Sequence, residues 1–355
     1  MAIELIEKTL KYDKPKFFKQ RVINEIVENN IGTYSSKKKP DLIQLTKKTM
    51  DDKISECLMK DSLTIKILDL LEISKGYRYS VIFEYEELNK DSIKNKCINI
   101  NSDYYKEIGN SIDETTYLYL EDDEHIFIKF HRNISILDKS DMPQWHSVRD
   151  PILVVFHKNI NIFEIRFDRI NTELEKSYYN AAIKSCLSWL GNNIGIEYSY
   201  INLDEIIRYI DEHYPDVVTE LIWAGELAKS QGITLKAGED MIMPFFGTLK
   251  VKIQEWRKTY AEKVEALECL DELESYLDKT KKYANEQFRT LRWIKYEENG
   301  KYFTLKEPID LKITFNYSGT MLDLINIYDN ELNDMERIDY VTKFIGKIRA
   351  IIKKS

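Results

Sequence analysis

The residues best suited to chemistry stand in the middle of the chain. His125 and His131 lie six positions apart in an alternating apolar stretch, with Lys129 between them. A strand would turn all three to one face. Just before them comes the run Glu121-Asp122-Asp123-Glu124. Carboxylates beside two imidazoles are ligand types that hold a divalent cation and activate water. A second set is Asp310-Leu311-Lys312, downstream of Glu297 and Glu298. It has the acid and acid-x-Lys form in which carboxylates hold Mg²⁺ and the lysine positions water. Both sets have a plain structural counterpart. An acidic hairpin tip is ordinarily solvated, and Asp-x-Lys recurs by chance in a chain with 52 Lys and Arg and 60 Asp and Glu. No residue is therefore assigned a catalytic or a metal-ligating role, and no cofactor is expected.

The third constellation is basic. Residues 1–60 carry 13 Lys and Arg against 9 Asp and Glu, a local +4 in a chain of net charge −8. The acidic remainder disfavours broad contact with phosphate backbones, whereas a basic lobe can make a local one. The residues expected to contact nucleic acid are Lys14, Lys16, Lys19, Arg21, Lys37, Lys38, Lys39, Lys47 and Lys48. On a winged helix they would face phosphates, with Tyr77, Arg78 and Tyr79 at the wing. Lysine runs most often form a solvated face, and Met50-Asp51-Asp52 replaces the usual glycine turn. Tyr104-Tyr105, Tyr178-Tyr179, Tyr117 and Tyr119 could stack on bases, but such residues more often edge a core.

Several chemistries are excluded by what is missing. Neither GxxxxGK[ST] nor a strand-linked GxGxxG is present, which argues against an ordinary ATPase, GTPase or Rossmann enzyme. GxSxG and HExxH are absent too. Cys57, Cys97, Cys186 and Cys269 form no CxxC pair, so reduced thiols are expected rather than a zinc site or a disulfide framework. No window approaches 18 uncharged apolar residues, and MAIELIEKTL lacks the apolar core of a signal peptide. A cytoplasmic protein without membrane contact is expected.

The elements that must position these residues read as α+β. The expected fold is a central antiparallel sheet of successive hairpins. It has an N-terminal helical lobe of winged-helix-like outline and a helical C-terminal half containing one long helix. The expected organisation is a helical, locally basic lobe over 1–87 and a polar linker or irregular segment over 88–114. Central β-hairpins over 115–170 follow, then a helical region over 171–290 and a hairpin with two closing helices over 291–355. The hairpins are Thr115–Leu120 with His125–Asn133, and Pro151–His157 with Ile162–Ile170. Between them Leu137–Val148 reads as a loop in which Trp145 either plugs the core or offers a contact surface. Helices are expected after Pro15, from Asp41 to Lys48, from Asp51 or Asp52, over Leu63–Ile73, and from Asn171 or Thr172 to Gly191. Others start at Asn202 or Asp204, cover Val217–Lys229, and run unbroken from Leu249 to Phe288. Gly232–Gly247 reads as an irregular link. Asn299-Gly300 marks a tight hairpin, Ile309–Phe315 a further strand, and Thr320–Glu331 and Glu336–Lys353 the closing helices.

The missing catalytic motifs favour a non-catalytic binding, regulatory or scaffold component of a cytoplasmic assembly. A protein partner is expected, and nucleic acid is a candidate partner for the basic lobe. A metal-dependent phosphodiesterase or nuclease is the competing expectation. An accessory role in bacterial antiviral defence or on a mobile element is a third. The sequence does not fix the oligomeric state.

Overall fold

A computed structural model describes residues 2–35, 41–107, 117–138, 144–170, 175–227, 233–237, 247–283, 285–298, 300–328 and 335–354. The class is α+β, and the chain divides into two compact units. Unit 1 holds residues 1–199 with 332–336, and unit 2 holds 200–331 with 337–355.

Unit 1 begins with α1 (Ala2–Tyr12) and α2 (Lys16–Glu28). The strands β1 (Gly32–Thr33) and β2 (Ile43–Gln44) then pair in parallel. Ile43–Gln44 is thus a strand inside the stretch expected as an Asp41–Lys48 helix. The next helix, α3 (Met50–Lys60), is capped by Thr49, whose hydroxyl accepts from the Asp52 amide, rather than by Asp51 or Asp52. It is followed by α4 (Leu63–Ser74).

The strand β3 (Tyr79–Tyr85) is no wing. Its six residues from Tyr79 to Glu84 pair with Phe167–Ile162, inside a sheet. That sheet also takes β4 (Ile98–Asn99), β5 (Leu118–Glu121), β6 (His125–Asp138), β7 (Gln144–His157) and β8 (Ile162–Phe167). The order is β3–β8–β7–β6–β5–β4, antiparallel except for the parallel pair β4–β5. Two short helices, α5 (Lys90–Lys96) and α6 (Tyr104–Glu107), flank β4. Both expected hairpins form. The expected Leu137–Val148 loop is strand at both ends, because β6 and β7 stay paired to Asp138 and Gln144; residues 139–143 lie outside the described residues. Trp145 is no plug either: it is 66% exposed.

Helices cover both faces of the unit 1 sheet. Phe127, Leu153 and Val155 join the core of the helical lobe with Ile6, Phe18, Ile23, Ile54 and Leu68. On the other face α7 (Glu175–Ile194) sets Tyr179 against Tyr79 and Phe167, and Trp189 against Phe130. This helix runs through Gly191 and stops at Gly195, whose φ of +74° suits a left-handed cap; its amide donates to Leu190 and Gly191. Burial of both faces explains why the inner half of β7, residues 151–156, reads as a continuous apolar run. It also places Glu164 and Arg166 on a buried face. In the observed register Val155 opposes Glu164 and Leu153 opposes Arg166, and both charged residues are 0% exposed under the lobe.

The chain leaves unit 1 through β9 (Tyr198–Tyr200). Unit 2 then forms α8 (Leu203–His213), capped by the Asn202 side chain as expected. Its sheet holds β10 (Val218–Leu227), β11 (Ile233–Ala237), β12 (Asn285–Glu298), β13 (Lys301–Thr314) and β14 (Leu324–Ile327). The order is β11–β10–β12–β13–β14, antiparallel throughout. Four expectations change here. Val217–Lys229 and Thr320–Glu331 contain the strands β10 and β14 instead of helices, and the expected link holds β11. The expected long helix is a hairpin of α9 (Gly247–Thr259) and α10 (Val264–Tyr283). Arg257 ties the two together through Asp271 and Glu274, around Ile253, Leu270 and Leu277. The β12–β13 hairpin turns at Gly300, with φ of +75°. Finally α11 (Glu336–Ile352) docks through Val341, Phe344, Ile345 and Ile348, its Phe344 edge-on to the buried Trp293.

Candidate functional site

Three separate segments of unit 1 meet around one cleft of about 330 Å³. The first is the α1–α2 turn. The amides of Asp13 and Lys14 close α1 on the Thr9 carbonyl, and Pro15 starts α2 with the φ of −69° that its ring imposes. The second is the end of α4, where Lys75 caps the helix and Gly76 leads towards β3. The third is the outgoing end of β8, Asp168 and Arg169. Asp150 of β7, Arg78, Phe17 and Phe18 complete the wall.

Charges of both signs face this space. Lys14, its side chain 6% exposed, donates to Asp13 at 2.6 Å. Burial works against its charge, but Asp13, Glu72 and Asp168 outweigh burial and hold it firmly protonated. Lys75 pairs with Asp168 and lies 4.3 Å from the Tyr77 ring centre. The Arg78 amide donates to Asp168 at 3.3 Å. Asp150 accepts from the Tyr178 hydroxyl of α7. Burial pushes the Asp150 carboxyl up to about 6; Tyr178 and Lys14 oppose the rise, while Asp168 and Asp13 add to it. The cleft therefore offers cations for an anionic group and carboxyl groups for hydrogen-bond donors.

A second assembly lies deeper. Lys129 donates to Asp69 at 2.7 Å and also pairs with Glu72. Arg149 donates to Glu72 at 2.7 Å, and the Tyr105 hydroxyl to Asp69 at 2.8 Å. Burial alone would raise the Glu72 carboxyl, but Arg149, Lys129 and Lys14 hold it well below the usual range. Beside it Glu164 accepts from Ser80 and from His157 Nε2, each at 2.6 Å, and from Arg166. Such buried groups, paired with one another, fix a packing arrangement, although Arg149 Nε and His157 Nδ1 find no hydrogen-bond partner among the described residues.

The residues singled out by sequence are placed as follows. His125, Lys129 and His131 do share the face under the lobe, but the two histidines are separated by ~20 Å of strand. In the acidic turn Glu121 pairs with Lys90 and Lys158, and Asp122 accepts from the amides of Glu124 and His125. Asp310 is held bidentately by Arg292 at 2.7 and 2.8 Å, while the Lys312 ammonium sits 3.6 Å from the Phe288 ring centre. Glu297 pairs with Lys347, farther along the same hairpin. Neither acidic set is brought together into one site. Among the basic residues, Lys14 enters the cleft, Lys19 pairs with Asp51, and Lys48 with Glu56. Lys16 and Lys47 are exposed and Arg21 is half-buried; Lys37, Lys38 and Lys39 lie outside the described residues. Of the cysteines, Cys57, Cys97 and Cys186 are buried, burial pushing their thiols up to about 11, 12 and 12.

Sequence reasoning passed over Asp13, Lys75, Asp150 and Arg169. They lie on segments up to 156 positions apart, so no local spacing joins them. The one signal was Asp150-Pro151, a charge and a ring at the point where β7 passes from its polar to its apolar half. Comparison with protein families, curated proteins and solved structures finds no match to this chain. Among the described residues no helix is long and apolar enough to cross a membrane.

Proposed function

We propose that the protein is a non-catalytic binding component of a larger assembly and contacts nucleic-acid phosphates through the N-terminal lobe of unit 1. One observation carries this reading. Lys14, Lys75, Arg78 and Arg169, from three segments, line one cleft, and the exposed Lys16 stands between two more of its lining residues. A patch of this size engages only a few phosphates, so binding is local and strongly salt-dependent. The whole chain is at net −8 and residues 61–355 are therefore at −12, so the acidic remainder repels nucleic acid and confines the contact to the lobe.

Fluorescence anisotropy with labelled single- and double-stranded DNA and RNA tests this reading. Affinity should fall as salt rises from about 50 to about 200 mM, with a log–log slope of roughly −0.9 per phosphate engaged. Lys16→Glu should weaken binding to every sequence alike and leave the circular dichroism spectrum unchanged. Absence of binding at low salt, or binding indifferent to Lys16→Glu, rejects the proposal.

A further inference from the structure

We propose that the cleft in unit 1 is a binding site for a single nucleotide, either free or at the end of a strand. Its phosphate lies towards Arg78 and Arg169, its base against Phe17, and its hydroxyl or amino donors towards Asp150. The proposal deepens the nucleic-acid reading by naming what enters the cleft.

Size comes first. A volume of about 330 Å³ is at the small end for ligand sites and corresponds to roughly eleven water molecules. One nucleotide has this scale, whereas a duplex does not enter. The pattern of charge comes second. A bare phosphate would gain from the arginines but meet the carboxyl groups of Asp13, Asp150 and Asp168 on the same walls. A ligand carrying both an anion and hydrogen-bond donors turns those carboxyl groups from repulsive neighbours into acceptors. A nucleotide has this combination in its phosphate, sugar hydroxyls and base amino groups. The aromatic surface comes third. Phe17 lines the cleft, yet it is 44% exposed at the first turn of α2. An exposed phenyl ring beside arginines is a stacking platform for a base.

The groups at the bottom are positioned before a ligand arrives. Lys14 and Lys75 are held by Asp13 and Asp168, and Asp150 by Tyr178. Little side-chain entropy is then lost on binding.

Isothermal titration of the full chain with the four common nucleoside monophosphates, a nucleoside and inorganic phosphate tests the proposal. At least one monophosphate should bind about tenfold or more tightly than the nucleoside and inorganic phosphate, since each of those lacks one half of the recognition. Arg169→Ala should weaken the monophosphate about tenfold and leave the nucleoside unaffected, while Phe17→Ala should weaken both. Both side chains are exposed, so unchanged melting temperatures verify that the variants fold.

Oligonucleotides ending in a phosphate or a hydroxyl, at either end, separate the two sources. Competition between a phosphorylated end and the mononucleotide assigns the site to strand ends; mononucleotide binding without oligonucleotide binding assigns it to free nucleotides and rejects the nucleic-acid reading instead. The nucleotide proposal is overturned if no monophosphate binds at millimolar concentration, if phosphate alone binds equally well, or if both variants bind like the parent. Salt-dependent oligonucleotide binding that ignores end chemistry and is not displaced by mononucleotide also overturns it, and leaves the lobe's wider phosphate contact standing.

Discussion

Replacing Lys129 by methionine tests whether the inner charges hold unit 1 together. Lys129 is 0% exposed and its ammonium contacts both Asp69 and Glu72. Methionine keeps most of the volume but takes from the two buried carboxylates one of their close cations, leaving them with Arg149 and the more remote Lys14. Removing one partner of a buried ion pair costs about 3–5 kcal/mol, because the remaining charge cannot return to water. That is a large part of the 5–15 kcal/mol typical of a folded domain. The exposed pair Lys60–Glu56 provides the control; Lys60→Met should cost less than about 1 kcal/mol. The assay is urea unfolding followed by circular dichroism and tryptophan fluorescence, with one transition fitted per unit. A second arm adds Glu72→Gln to Lys129→Met. The remaining Asp69 and Arg149 then balance one to one, and at least half of the lost stability should return. If Lys129→Met unfolds within about 1 kcal/mol of the parent, or if adding Glu72→Gln makes matters worse, the charge-balance argument fails.

Asp150 and His131 should drive the pH dependence of unit 1 in opposite directions. Burial raises the Asp150 carboxyl in the folded state to about 6, so its contribution is present below the unfolded value and lost as pH rises through 6. The difference corresponds to about 3 kcal/mol, and Asp150→Asn should raise stability at pH 7.5 by up to that amount. Equilibrium unfolding at pH 5 and 7.5 shows whether the gain falls to about half at the lower pH, since it vanishes only below the unfolded value near 4. Burial, with Arg149 and Lys129 adding repulsion, lowers the His131 imidazole well below its ordinary value. Its contribution is therefore present above about pH 6.5 and lost as pH falls, a slope that His131→Gln should flatten in the same titration. Gly32→Ala should cost about 1–3 kcal/mol in thermal unfolding, because a Cβ there would stand 2.7 Å from the buried Leu45. Gly300→Ala meets no neighbour but is strained at φ of +75°, so a loss of about 1 kcal/mol confined to the unit 2 transition is expected.

Legibility in the sequence followed the range of the interaction. The helix after Pro15, the Asn202 cap and the turn at Gly300 are decided within a few residues, and each stands where its local chemistry places it. The β6–β7 ribbon was legible in its apolar half only. Its outer half, from Ile134 to Asp138 against Val148 to Gln144, carries polar residues and a tryptophan that propensity assigns to a loop; pairing with the partner strand makes it β. Val218–Leu227 has alanine, leucine and glutamate, good helix formers, yet it pairs with β11 and β12. Sheet context overrode propensity there. The supposed long helix failed differently. Its apolar period runs past Tyr260, but Trp256, Tyr260 and Val264 around the break are exposed. The stripe was two short stripes that meet by folding back, and no glycine or proline announces the turn.

The same distinction explains why the candidate site was hidden while the motifs that looked chemical proved structural or scattered. Glu121, Asp122, Asp310 and Glu297 are conspicuous because their neighbours in sequence are also charged, and each is engaged by a cation or an amide on its own or an adjacent segment. Asp13, Asp150 and Asp168 come from three distant segments, and only the fold gives them a common space. Within unit 1 the sheet then sorts charges by depth. Under the lobe Lys129, Arg149, Asp69 and Glu72 pair with one another. At the sheet's end the chain reaches solvent, and cation and carboxylate line an open space large enough for a ligand. A charge buried among its partners fixes the fold, whereas the same pairing at the wall of a cleft can be exchanged for contacts to something that enters. The inner network and the cleft are thus two outcomes of one arrangement, and depth in the sheet separates the structural charges from those available for binding.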